Sequence, residues 1–243
     1  MSAIRILQLY PDELGVAGDR GNVLALATRL QRAGFEVELF GYSVGDILPR
    51  AADLVVVGNG PLSAMRTVHD DLLVIAPRLL DWAQRGVPVF AYGSGAELLG
   101  REITLLDGST MAGIGLFPFT AQRVTLRKVG YVVTRTAAAE VVGFEDNASF
   151  WQLDEGAAAF GSLVQGGGNG PHGAEGVIVG SSIATQVGGP VLPLNPRLTD
   201  SIIASVPAAS GYAPGPAHDD LDRYAREARA VIAEHVSHVF SRI

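Results

Sequence analysis

The residues best placed for chemistry lie at one junction, Tyr92-Gly93-Ser94-Gly95-Ala96-Glu97-Leu98-Leu99-Gly100, directly after the apolar run Val87-Pro88-Val89-Phe90-Ala91. This order reads as a buried strand, a sharp glycine-rich turn and the first turns of a helix. Free backbone N–H groups and the helix dipole converge at such a point, which suits a nucleophile or a bound anion. The apex here offers glycine and one serine, and the 243-residue chain contains no cysteine. Thiolate catalysis, disulfides and cysteine-held metal centres are excluded.

A serine-hydrolase elbow reads G-x-S-x-G, whereas Tyr92 and Ala96 flank Ser94 at those places. A serine nucleophile also needs a base held beside it. Among the five histidines, His69 and His172 fall in expected loops that can approach the sheet edge. His235 and His238, three apart on the last helix, read as surface residues rather than metal ligands. The favoured role for Ser94 is a cap on a helix beginning near Gly95. A second glycine turn, Gly58-Asn59-Gly60-Pro61, ends a strand where open α/β sheets bind ligands, so its N–H groups could form half of an oxyanion hole. A tight turn accounts for the same glycines.

The elements that must position these residues follow from hydrophobic period. Ile4 to Tyr10, Phe35 to Phe40, Asp53 to Val57 and Val87 to Ala91 predict strands. Asn22 to Ala33 and Leu72 to Arg85 predict amphipathic helices stopped by Gly34 and Gly86. Asn22 is expected to cap the first helix, with Asp19 and Arg20 pairing or holding a neighbouring loop. Repeated βα units with short connections predict an α/β fold: a three-layer, mostly parallel, doubly wound sheet. From about residue 101 short strands and turns take over, including Gln122 to Leu126, Gly130 to Thr136, Gly143 to Glu145 and Gly161 to Gln165, which predicts an antiparallel edge extension. The Gly166-Gly167-Gly168-Asn169-Gly170-Pro171-His172-Gly173 stretch lacks the Lys-Ser/Thr ending of a P-loop and reads as a surface loop. The expected organisation is one domain over 1–208, a linker over 209–218 and a terminal helix over 219–243.

Hydrophobic residues make up 48% of the chain and charged ones 18%, as in a packed globular protein. A net charge of −7 makes nucleic acid an unsuitable partner. No apolar run reaches membrane-spanning length and the chain opens directly on a strand pattern, so the expected compartment is the cytoplasm. No cofactor or metal site is expected.

The sequence resembles the class I glutamine amidotransferases of the cobyric-acid-synthase type, and among them the GatD-type subunits that supply ammonia to a Mur-ligase-like partner. The resemblance rests on Leu9-Tyr10-Pro11-Asp12, Gly18-Asp19-Arg20-Gly21-Asn22, the elbow through Gly100, Gly143-Phe144-Glu145 and Gly189-Pro190-Val191-Leu192-Pro193-Leu194-Asn195-Pro196. It implies that the family's nucleophilic cysteine falls at Gly93, its following glutamine at Glu97 and its histidine at Gly188. It also implies an oxyanion region at Gly58, Asn59 and Gly60 and a substrate-loop arginine at Arg127, with Tyr92 and Gln186 bordering the cleft. Glycine can neither attack an amide nor carry a proton, so the family reaction has no covalent route here. The expectation is a catalytically degenerate subunit that binds or regulates a partner, with a homo-oligomer left open. The alternatives are different chemistry or metabolite binding in the same cleft, using Ser94, Glu97, Asp146 or His172, and an active glutaminase.

Overall fold

The computed structural model describes residues 3–235 and 239–242. Its chain starts with β1 (Ile4–Leu9), α1 (Asp19–Arg32), β2 (Val37–Tyr42), β3 (Leu54–Val57), α2 (Leu62–Gln84), β4 (Val89–Tyr92) and α3 (Gly93–Leu99). Short strands β5 (Glu102–Thr104) and β6 (Thr110–Ala112) lead to two long ones, β7 (Phe119–Thr136) and β8 (Glu140–Leu153). There follow β9 (Gly161–Gln165), β10 (Ala174–Glu175), β11 (Val177–Val179) and β12 (Ser182–Thr185). Helices α4 (Val191–Leu194), α5 (Pro196–Ala204) and α6 (Asp219–His235) and strand β13 (Val239–Arg242) complete it.

The central sheet runs β11-β12-β4-β3-β1-β2, parallel throughout except for β11. Its inner strands β3 and β4 are short and apolar because both faces are covered, while the edge strand β2 is largely exposed. Ile4, Ile6, Leu54, Val56 and Phe90 pack with Val23, Leu26 and Leu30 of α1 and with Leu198 and Ile202 of α5. Leu7, Leu9, Val55, Val57 and Val89 face Met65, Val68, Leu72, Leu79 and Trp82 of α2. The fold is thus α/β, with helices on both sides of a mostly parallel sheet. The extension is a second sheet, antiparallel except where β5 runs parallel to β7, built on the β7–β8 hairpin and joined by β5, β6, β9, β10 and β13.

This second sheet is sewn to the first beside the elbow. Phe144 of β8 and Gly188 exchange two backbone hydrogen bonds of 3.0 Å. The Asn195 side chain accepts from Val142 N–H at 2.9 Å and donates to the Val142 carbonyl at 2.7 Å. Gly143 must be glycine, since a Cβ there would stand 2.5 Å from Val187 Cγ1 and 2.9 Å from the Gly188 carbonyl oxygen.

Three expectations are corrected. α1 begins at Asp19 after Gly18, and no side chain caps it; Asn22 is buried one turn inside, its Oδ1 accepting from Leu192 N–H at 2.9 Å. α2 begins ten residues before Leu72, which puts His69 on a helix, its Nε2 2.7 Å from the Ala112 carbonyl oxygen, and not in a loop. The terminal helix stops at His235, and Val239–Arg242 pairs antiparallel with β7. Residues 236–238, with His238, and residue 243 lie outside the described residues.

Candidate functional site

β4 delivers the chain to the C-terminal edge of the sheet, and α3 departs from it without a linking residue. The turn is made at Gly93, whose φ of +56° is a left-handed conformation that glycine adopts without steric cost. Next to it, β3 ends in Gly58-Asn59-Gly60. Gly95 N–H donates to the Gly58 carbonyl at 3.1 Å, which locks the two turns together. The structure therefore brings Gly58, Asn59, Gly60, Tyr92, Gly93, Ser94 and Gly188 into one place.

Ser94 is neither a cap nor a poised nucleophile. The helix starts one residue before it and has no side-chain cap. Its buried Oγ accepts from Gly60 N–H and donates to the Gly60 carbonyl, both at 2.8 Å, and no base is among its partners. His172 lies elsewhere, lining a cavity of about 1230 Å³ over the second sheet with Arg127, Lys128 and Phe150. Among the described residues no cluster of three histidine or carboxylate side chains is placed to hold a metal.

The spaces beside Gly93 and Gly188, where the resemblance implies the family's cysteine and histidine, are filled. A Cβ at residue 93 would come 2.5 Å from Asn59 Oδ1 and 2.8 Å from Asn59 Cγ. That Oδ1 accepts the Ser94 backbone N–H at 2.9 Å. A Cβ at residue 188 would fall within the Tyr92 phenol, overlapping Cζ and the hydroxyl oxygen. Burial, with the negative charges of Asp19 and Asp146, pushes the Tyr92 hydroxyl well above its ordinary value, so it stays protonated and is no base.

Glu97 is turned away from proton chemistry. It is 3% exposed, accepts from Arg123 Nη2 at 2.5 Å, and has Trp151 Nε1 at 3.4 Å from its other oxygen. It joins α3 to the long hairpin. Arg127 is exposed and gives a two-point pair to Asp146, at 2.5 and 2.9 Å, so each neutralises the other. Gln186 is buried; its N–H donates to Glu175 Oε1 at 2.7 Å and its Nε2 to the Gly168 carbonyl at 3.2 Å.

Asp19, expected to pair with Arg20 or hold a neighbouring loop, is fully buried under the Gly58 turn: a Cβ at residue 58 would stand 2.5 Å from its Cγ. Burial pushes Asp19 up to about 6, against the backbone N–H groups of Asn59 and Ala17, which pull it down. The Gly166–Gly173 loop does cradle an anion, but an internal one. Gly167 and Gly168 N–H donate to the two oxygens of Glu145 at 2.6 and 3.2 Å. Arg123 was overlooked because an arginine on an alternating strand pattern reads as a solvated face. The Gly-rich loop with an acid in Gly143-Phe144-Glu145 was the one signal available for the cradle.

A model of the CobB/CobQ-like glutamine amidotransferase domain matches residues 5–193. The chain is 25% identical over 206 residues to the lipid II isoglutaminyl synthase (glutamine-hydrolyzing) subunit GatD of Staphylococcus aureus strain N315, covering 84% of each chain. The subunit of the same name from Streptococcus pneumoniae strain ATCC BAA-255 / R6 is 24% identical over 207 residues, covering 83% of this chain and 80% of that one. A crystal structure of a glutamine amidotransferase superposes with a TM-score of 0.56 at 16% identity, over 82% of this chain and 98% of the other, a likeness of fold. With a match over most of its length, this chain, without a cysteine, belongs to the CobB/CobQ-like glutamine amidotransferases.

Proposed function

We propose that this chain is a catalytically silent, GatD-like subunit that binds a Mur-ligase-like, ATP-dependent enzyme in the cytoplasm and stabilises or regulates it. One observation carries the reading. The elbow keeps its backbone, down to the left-handed Gly93, while neighbouring side chains fill the space of both reactive groups. Selection for turnover would preserve the cysteine and histidine; selection for a shape preserves the frame. The motifs shared with the family serve that frame here. Gly18 and Gly21 sit against Pro190, Asn22 ties to Leu192, and Asn195 ties to Val142. The subunit character in the names of the GatD relatives supports association with a partner. The membrane side is consistent with this: among the described residues no helix is long and apolar enough to cross one.

Two measurements test it together. Ammonia release from glutamine is expected to stay at background, with or without the partner. Purification from the native host is expected to bring down a Mur-ligase-like protein in stoichiometric amount. Clear turnover, or a chain that purifies alone or only as a homo-oligomer, would overturn the reading.

A further inference from the structure

The hollow that a glutamine side chain would enter is already furnished with the matching functional group. At an elbow of this kind, the backbone N–H of the residue after the nucleophile faces the substrate's carbonyl oxygen. That residue is Ser94, and its N–H is held by the carboxamide oxygen of Asn59 at 2.9 Å. A carboxamide is also what glutamine would present. The Asn59 Cγ stands 2.8 Å from the point where an attacking side chain at residue 93 would begin. Gly60 N–H is taken by Ser94 Oγ and Gly95 N–H by the Gly58 carbonyl, so these neighbouring donors are also engaged internally. On the other flank the Tyr92 ring fills the volume of a side chain at 188.

We propose that Asn59 is a built-in occupant of the amide subsite and that Tyr92 closes the slot of the base, so the chain excludes glutamine itself as well as its hydrolysis. This rests on the GatD-like reading above and deepens it. Restoring the cysteine and histidine alone leaves the site locked, because each new side chain meets an atom already there. Hydrolysis needs a thiolate to attack glutamine Cδ, the C–N bond to break with the imidazolium proton leaving on ammonia, and water to cleave the thioester to glutamate. All of these steps need the volume that Asn59 and Tyr92 hold.

Titration calorimetry with L-glutamine at millimolar concentration is expected to give no saturable heat with the wild-type chain. Asn59→Gly, which frees the Ser94 donor, is expected to bind it at least about tenfold more tightly. Gly93→Cys with Gly188→His is expected to release no ammonia. Adding Asn59→Gly and Tyr92→Ala is expected to give ammonia and glutamate in equal amounts, with circular dichroism reporting the fold of each variant. Wild-type binding as tight as that of Asn59→Gly, a folded Asn59→Gly with no gain, or ammonia from the double variant would each overturn the proposal. If the fourfold variant does not fold, the wild-type titration and the double variant still decide it. Partner capture by the wild type is read separately, so a glutamine-binding chain that still captures its partner sinks only the lock.

Discussion

Glu97 carries a carboxylate into the interior, where the family resemblance implies a neutral amide. Its counter-ion, Arg123, comes from a different sheet, 26 residues away in sequence, and also reaches Met65 Sδ at 3.0 Å. Removing one partner of such a pair strands the other charge in low dielectric, which costs more than the pair contributes. Arg123→Met is therefore expected to lower stability by roughly 3 kcal/mol or more. Glu97→Gln is expected to cost less, since its one amide oxygen still accepts from one of the two donors and the cation left behind, Arg123, is the less buried partner. Urea unfolding of both variants checks the order, and an equal loss in the two would refute it. The side chains packed against Gly93 and Gly188 were not legible in the sequence, because Asn59 lies 34 residues from Gly93 and Tyr92 lies 96 from Gly188, and no local pattern reports such a meeting.

The elements were legible where one face of a helix or both faces of a strand are apolar. Strand β9 follows its expected bounds, Gly161–Gln165, and β1, β2, β3 and β4 fall within two residues of expectation at each end, while the fifth parallel strand, β12, was not anticipated. The first half of α2 was hidden because Arg66, Thr67, His69, Asp70 and Asp71 break up its apolar stripe, though Met65 and Val68 are buried. Long-range pairing was equally hidden. β7 reads as two short strands, yet it forms one 18-residue strand with a register shift between Arg123 and Lys128. At this scale Gly143→Ala tests the seam between sheets: its methyl would press on Val187 and Gly188, and a loss of about 1–3 kcal/mol is expected in thermal unfolding.

The C-terminal helix is held by a buried arginine of α1, beside the buried Ala225 and the bond from Arg229 to the Asn195 side chain. Arg29 of α1, 3% exposed, holds Asp200 of α5 through two bonds of 2.7 and 2.8 Å and Asp222 of α6 through one of 2.6 Å. Arg32 pairs with Asp220, and the buried His218 places Nε2 2.9 Å from the Arg29 carbonyl oxygen. Arg29→Ala leaves Asp200 without its cation and α6 without its anchor. The expected result is a loss of about 3–5 kcal/mol and faster proteolytic removal of the segment after Ser210. Unchanged digestion would show that the remaining contacts of α6 hold it without Arg29.

Across the whole molecule, buried carboxylates set the response to pH. Burial raises Glu175 to about 7 despite the Gln186 N–H and the Thr185 hydroxyl, and raises Asp19 to about 6. Both values lie above the ordinary 4.5 and 3.8, so the folded state binds more protons than the unfolded one between them. Their contribution is fully present below about pH 4 and is lost as pH rises through 6 and 7. Burial would raise Asp53 too, but the Arg5 hydrogen bonds hold it below its usual value, which opposes stability only in stronger acid. The unfolding free energy from denaturant titrations is therefore expected to fall from pH 5 to pH 8, by an amount on the order of a few kcal/mol. Glu175→Gln is expected to flatten that slope; an unchanged slope would place the titration elsewhere.

The occupied elbow also bears on how this lineage can change. A side chain added alone at 93 or 188 meets Asn59 or the Tyr92 ring, and trimming Asn59 or Tyr92 alone opens a hole. Each single step is thus unfavourable by itself, so this corner of the molecule changes only by coincident substitutions and holds its shape while the outer surface varies.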